Sequence, residues 1–226
     1  MTMPNEILAA VELETRPNPN ATVIWMHGLG ADGNDFVPIV HELDLPDAFG
    51  IRFIFPHAPT RPVTINNGHV MRAWYDIVGS NLTNRADEAG IRDSQDRIEQ
   101  LIAREKVRGI AASRLVLAGF SQGGVIALQT GLRHPERLAG IMALSTYLAM
   151  PQALTAQANA ANRDVPILMA HGTGDQVIQY AWAESSRRTL ETQGYKVEWH
   201  AYPMEHSVCL EEVADIGKWL RQVLPG

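Results

Sequence analysis

The sequence predicts an α/β fold: a mostly parallel central sheet with helices on both faces. Three observations lead there. Short, almost wholly apolar runs recur at 21–26, 51–55, 115–118, 138–145 and 166–170, and each reads as a strand buried on both faces. Longer segments with helical spacing stand between them, so strand and helix alternate along the chain. Several of the strand runs end in glycine-bearing loops that carry His, Asp or Ser, where a parallel sheet gathers its chemistry. With 226 residues and no internal repeat, linker or low-complexity tract, residues 1–226 read as one domain.

Taken in order, residues 8–15 read as an opening edge strand, closed by the turn Arg16-Pro17-Asn18-Pro19-Asn20. The strand at 21–26 runs straight into His27-Gly28-Leu29-Gly30-Ala31-Asp32-Gly33-Asn34-Asp35, a glycine loop leading to a helix over 35–43. The strand at 51–55 is stopped by Pro56-His57-Ala58-Pro59. Residues 60–84 show no clear period, and a loop this long in a compact domain is usually functional. From 87 to 108, Ile91, Ile98, Leu101, Ile102 and Val107 recur at helical spacing, with Gly109 as the stop.

The run Leu115-Val116-Leu117-Ala118 leads through a glycine-flanked serine into a small-residue helix reaching His134-Pro135. A buried strand at 138–145 and an alanine-rich, partly helical stretch at 150–162 follow. The strand at 166–170 opens onto His171-Gly172-Thr173-Gly174-Asp175, and a helix covers Tyr180–Thr192, ended by Gly194. Val197, Trp199 and Ala201 alternate with Glu198 and His200 as in a half-exposed strand. After Pro203-Met204-Glu205-His206, a last helix sets Leu210, Val213, Ile216, Trp219, Leu220 and Val223 on one face.

Composition narrows the function. A net charge of -6 argues against a nucleic-acid or anionic-membrane partner. No apolar run approaches the ~20 residues of a transmembrane helix, so no stable membrane insertion is expected. The opening residues carry Glu6 and no basic stretch, so they do not read as a signal peptide. The one cysteine, Cys209, rules out an internal disulfide and fits a reducing cytoplasm; it reads as a small buried hydrophobe of the last helix. The histidines show no metal-ligand spacing, so no metal is expected.

Gly119-Phe120-Ser121-Gln122-Gly123, set between a buried strand and a helix, has the form of a nucleophile elbow. The chain must reverse within a few residues and leave the serine hydroxyl on top of the sheet, and glycines two positions either side make room. A serine hydroxyl needs a base, and an imidazole base needs an acid to fix its tautomer. Strand ends supply both, in the order Ser121, Asp175, His206. Asp175 could instead cap the following turn. His200 lies mid-strand, and His171 stands too near Asp175 in sequence to pair with it. His41, His69 and His134 read as surface residues. A tetrahedral oxyanion needs two N–H donors: Gln122, directly after the nucleophile, and Leu29 in the glycine loop.

With these pieces in place, the chain resembles the bacterial carboxylesterase branch of the phospholipase/carboxylesterase family, within the α/β-hydrolases and akin to acyl-protein thioesterases and lysophospholipases. The blocks that carry the likeness are Trp25-Met26-His27-Gly28-Leu29-Gly30-Ala31-Asp32-Gly33-Asn34-Asp35-Phe36, Phe55-Pro56-His57-Ala58-Pro59, Ala73-Trp74-Tyr75-Asp76, Ala118-Gly119-Phe120-Ser121-Gln122-Gly123-Gly124 and Leu144-Ser145-Thr146-Tyr147-Leu148. The resemblance implies an α/β-hydrolase fold and an esterase that needs no cofactor, with Ser121, Asp175 and His206 as its triad. It implies Leu29 and Gln122 as oxyanion donors, and a segment with Met71 and Trp74 flanking the acyl site. Ala149-Met150 and Gln176 depart from the prolines common in relatives, near the acyl pocket.

The elements use most of the chain, so no separate lid domain fits. The expected substrate is a small-molecule ester or lipid-like molecule whose acyl chain lies in a shallow groove lined by Met71, Trp74 and Tyr147. The expected activity is a serine carboxylesterase for short- to medium-chain esters. The alternatives are a lysophospholipase or acyl-protein thioesterase for long chains, and a hydrolase-fold binding protein without turnover. An exposed apolar loop around Met71 and Trp74 would support a homodimer.

Overall fold

The computed structural model describes residues 7–79 and 87–224. The expected absence of a signal peptide at the first six residues, and the end of the 60–84 segment, therefore lie outside the described residues. A sheet in the order β1-β3-β2-β6-β7-β8-β9 forms its centre. Its members are β1 (Ala10–Glu14), β2 (Ala21–Met26), β3 (Ile51–Pro56), β6 (Leu115–Phe120), β7 (Gly140–Leu144), β8 (Ile167–Gly172) and β9 (Val197–Tyr202). Only β1, at the edge, runs antiparallel to its neighbour.

The burial of the strands follows from the runs that formed them. Every residue of β2, β7 and β8 is buried, as expected of strands covered on both faces, whereas β9 at the other edge alternates. One face packs against α1 (Glu88–Val107), α2 (Gln122–Gly131), α3 (Pro151–Gln157) and α4 (Tyr180–Thr192), through Ile98, Val125, Leu154 and Leu190 among others. The opposite face packs against α5 (Leu210–Val223) and a 3-10 turn over Val37–Glu42, through Val213, Ile216, Trp219 and Val40. No helix among the described residues is long and apolar enough to cross a membrane.

Several expectations are corrected. The segment at 35–43 is a 3-10 turn over Val37–Glu42 with Pro38 in its first turn, too short to settle into an α-helix. The 60–84 stretch carries a two-stranded hairpin of β4 (Thr60–Val63) and β5 (His69–Arg72). Its four-residue strands, one holding Pro62, show no period of their own. Tertiary bonds hold the hairpin instead: the Asp76 carboxylate accepts from the Thr64 N–H at 2.7 Å and from its hydroxyl at 2.6 Å. The helix after the elbow stops at Gly131, short of His134. His134 is buried rather than superficial, with Nδ1 2.8 Å from Glu99 on α1. Cys209 sits half-buried at the amino end of α5, its sulfur 3.8 Å from Glu211.

Candidate active site

The elbow forms as its glycines require. A Cβ on Gly119 would lie 2.2 Å from the Gly123 backbone, and one on Gly123 would lie 2.2 Å from the Met26 carbonyl oxygen. Ser121 stands between them at φ 55 and ψ -118, a conformation that costs a non-glycine residue of order 1–3 kcal/mol. The surroundings impose it. The Ser121 N–H donates to the Leu144 carbonyl at 2.9 Å, and the Ser121 carbonyl accepts from the Thr146 hydroxyl at 2.7 Å. It also accepts the N–H groups of Gly124 and Val125 at the start of α2.

Asp175 and His206 meet at the ends of β8 and β9. Oδ2 of Asp175 lies 2.7 Å from Nδ1 of His206. A carboxylate only accepts, so the ring proton sits on Nδ1 and Nε2 is left as the basic nitrogen. The Phe120 ring, one residue before Ser121, packs on the His206 imidazole with centroids 4.7 Å apart, which sets the base against the elbow. Asp175 also does what the rival turn-capping reading expects: Oδ1 accepts the N–H groups of Val177 and Ile178, each at 2.8 Å. Burial opposes its charge, but the His206 N–H and the two backbone donors outweigh it and hold the carboxyl below the ordinary carboxylate range.

His171 corrects an expectation. Its closeness in sequence to Asp175 does not keep the two apart, because the turn after β8 folds back and brings Nε2 within 3.4 Å of Asp175 Oδ2. His200 stays on the surface of β9 beside Glu198 and Asp215, away from Asp175.

The glycine loop after β2 is anchored by His27, whose part the sequence reading missed; the signal was a histidine set directly at a strand end. Its Nδ1–H donates to the Gly28 carbonyl at 2.7 Å, while Nε2 accepts the Ala58 N–H at 3.1 Å. Burial pushes this imidazole down to about 4, so the ring is neutral and able to accept. The Gln122 side chain braces the opposite wall: Oε1 accepts the Trp74 N–H and Nε2 donates to the Tyr75 carbonyl.

A cavity of about 50 Å³ is lined by Leu29, Tyr75, Ile77, Ser121, Gln122, Tyr147, Val177 and Ile178. The proposed nucleophile, both proposed oxyanion residues and Tyr147 thus share one space. Gln122 opens α2, where the first N–H groups of a helix have no partner within it. Trp74 does not line this space: it is fully buried, and its indole N–H donates to the His27 carbonyl at 2.9 Å. Met71 lies on the hairpin with its sulfur beside Gly30 and is not part of the lining of the Ser121 cavity. Tyr75, Ile77, Val177 and Ile178 take the places expected of Met71 and Trp74, because the lining depends on how distant loops meet. The exposed apolar residues of this region are Ile65, Val70 and Val78, whereas Trp74 is buried.

Such a constellation can carry out acyl transfer: a hydroxyl on a strained elbow, a base whose tautomer is fixed by a buried carboxylate, and N–H donors beside them. The phospholipase/carboxylesterase profile matches residues 8–224. Acyl-protein thioesterase 1 of Yarrowia lipolytica is 38% identical over 94% of this chain and 96% of its own length. The Neurospora crassa protein of the same name is 41% identical over 91% of this chain and 87% of its own length. Arabidopsis thaliana SOBER1 superposes with a TM-score of 0.85 at 29% identity, covering 90% of this chain and 99% of that one. These fungal thioesterases bear out the family but lend no support to a specifically bacterial carboxylesterase branch. The chain belongs to the phospholipase/carboxylesterase family and is a serine hydrolase of the α/β-hydrolase fold.

Proposed function

We propose that this enzyme cleaves acyl thioesters and esters through an acyl-enzyme on Ser121, and that acyl groups on protein cysteine thiols are its first substrate class. The observation that carries this reading is the 2.7 Å contact between Asp175 and His206 Nδ1 beside the elbow. His206 Nε2 takes the Ser121 proton as the hydroxyl attacks the acyl carbon, and the Leu29 and Gln122 N–H groups receive the oxyanion. The imidazolium returns that proton to the leaving thiol or alcohol. Water then repeats the sequence on the acyl-enzyme, and the freed acid leaves.

The names of the fungal relatives favour a thioester and an acyl-protein substrate. Space for a tail agrees. A second cavity of about 190 Å³ lies beyond the ring pair of Tyr147 and Trp182, lined by Leu148, Ala149, Pro151 and Trp182 among others. Its Ser186 and Thr189 hydroxyls already donate to helix carbonyls, so they offer little unpaired polarity to an acyl chain. The second reading, a carboxylesterase for short- to medium-chain esters, is favoured by the small volume directly at Ser121. Action in the cytoplasm, and a homodimer through the exposed Ile65, Val70 and Val78, complete the proposal.

Turnover of p-nitrophenyl esters from acetate to palmitate, beside an S-palmitoylated cysteine peptide, separates these readings. Efficient depalmitoylation with a long-chain optimum supports the thioesterase. An acetate-to-butyrate optimum with no depalmitoylation moves the assignment to the carboxylesterase. Ser121→Ala should lower kcat by about 10⁴–10⁶-fold on every substrate. Full activity in that variant would remove the whole reading.

A further inference from the structure

His171 is unused by the chemistry above, yet it is 1% exposed and touches both the acid and the acyl cavity. Its Nε2 lies 2.8 Å from the Ile178 carbonyl and 3.4 Å from Asp175 Oδ2, the same oxygen that holds His206. Carbonyl and carboxylate both only accept, so the proton is on Nε2 and points between them. Nδ1 has no hydrogen-bond partner among the described residues, which fits a lone pair there and not a buried, unmatched N–H. Ile178 is thereby gripped at both ends: its N–H by Asp175 Oδ1 and its carbonyl by His171. Ile178 is also a wall of the cavity at Ser121.

Resting on the acyl-transfer reading, we propose that His171 is a positioning residue for that reaction. As a neutral Nε2–H donor it locks the turn from Asp175 to Ile178, and so sets together the carboxylate that orients His206 and the wall that receives the acyl chain. The titratable groups around the ring are Asp175 on its own turn, His206 from the β9–α5 loop and Tyr180 from α4, whose ring centroid is 6.2 Å away. Trp199 of β9 stacks on it at 6.5 Å and is not titratable. Burial pushes the imidazole below its ordinary range, which keeps it neutral where His206 must work as a base.

The test compares His171→Gln, which keeps an amide N–H near the Nε2 position, with His171→Asn, which cannot reach it, and with His171→Leu. All rates are normalised to the active sites titrated by a fluorophosphonate, so a misfolded fraction drops out. His171→Leu and His171→Asn should lose about 10²-fold in kcat, the scale of a misplaced catalytic group. In both, the acidic limb of the kcat/KM profile should move to lower pH, because a loosened Asp175 stabilises the His206 imidazolium less. KM should rise for long-chain substrates and hold for acetate. His171→Gln should recover most of the rate and the limb. Equal behaviour of Gln and Asn, or an unmoved limb with an unchanged chain-length profile in both, overturns the proposal; the Gln–Asn comparison decides even where the leucine variant does not fold. Loss of the acyl-transfer reading itself would show separately, as activity surviving Ser121→Ala.

Discussion

Gly172 and Glu205 approach so closely that a Cβ on the glycine would lie 2.4 Å from the Glu205 carbonyl oxygen, and equally near that of Met204. The loop bearing His206 therefore rests directly on the end of β8. The Thr173 N–H donates to the Tyr202 carbonyl at 2.8 Å and the Gly174 N–H to the Met204 carbonyl at 3.0 Å. This seating carries His206 to Asp175. Gly172→Ala should push the loop away, cutting kcat by about 10²-fold and costing about 1–3 kcal/mol of stability. Kinetics paired with urea denaturation check both. An unchanged kcat would show that the loop yields without moving the base.

Asp175→Asn leaves the shape in place but lets the His206 ring turn to the wrong tautomer. By comparison with other Ser-His-Asp sites, kcat should fall about 10⁴-fold. The folded carboxyl lies below its ordinary range, so its contribution to stability is fully present above the unfolded value near pH 4 and is lost as pH falls through the folded value. Denaturation curves at pH 7 and pH 3 should thus show wild type losing more stability on acidification than Asp175→Asn. Parallel losses would mean that the acid is not held by its partners.

Much of this architecture was legible in the sequence, and its limits have physical causes. Strands buried on both faces must be apolar throughout, so β2, β6, β7 and β8 stand out as unbroken runs. The elbow leaves its mark because Gly119 is forced by the Gly123 backbone four residues on, while Gly123 is forced by the Met26 carbonyl at the end of the adjacent strand, and both glycines flank Ser121. The hairpin of β4 and β5 left none, since its support comes from Asp76. The burial of His134 depends on Glu99, 35 residues earlier. Val177 and Ile178 become cavity walls only because the turn after β8 folds over Asp175 towards Ser121. Contacts of this kind belong to the packed molecule and to no local pattern.

His27 gives a stability prediction at mildly acidic pH. The ring is buried with a value near 4, whereas in the unfolded chain it titrates near 6.5. The unfolded state thus binds the extra proton first as pH falls, so stability is fully present above about 6.5 and declines until the folded value is passed. At 1.36 kcal/mol per unit, the loss is of order 3 kcal/mol. His27→Gln, which keeps an acceptor for the Ala58 N–H but cannot titrate, should lose that much less between pH 6.5 and 4 in urea denaturation. Equal losses would place the proton on other groups.

Glu212 predicts the opposite pH trend. It is 1% exposed on α5, and burial raises its acid to about 8 although the Cys209 N–H pulls the other way. The folded protein keeps it protonated at neutral pH, while the unfolded chain releases the proton near pH 4.5. Its burial is therefore least costly below that value and progressively more so as pH rises towards 8. Glu212→Gln is neutral at every pH and keeps the shape. It should be more stable than wild type at pH 8, by about 4 kcal/mol at 1.36 kcal/mol per unit, with the gap closing near pH 4. A gap that stays constant with pH would mean that Glu212 is charged in the fold, with a counter-charge answering it.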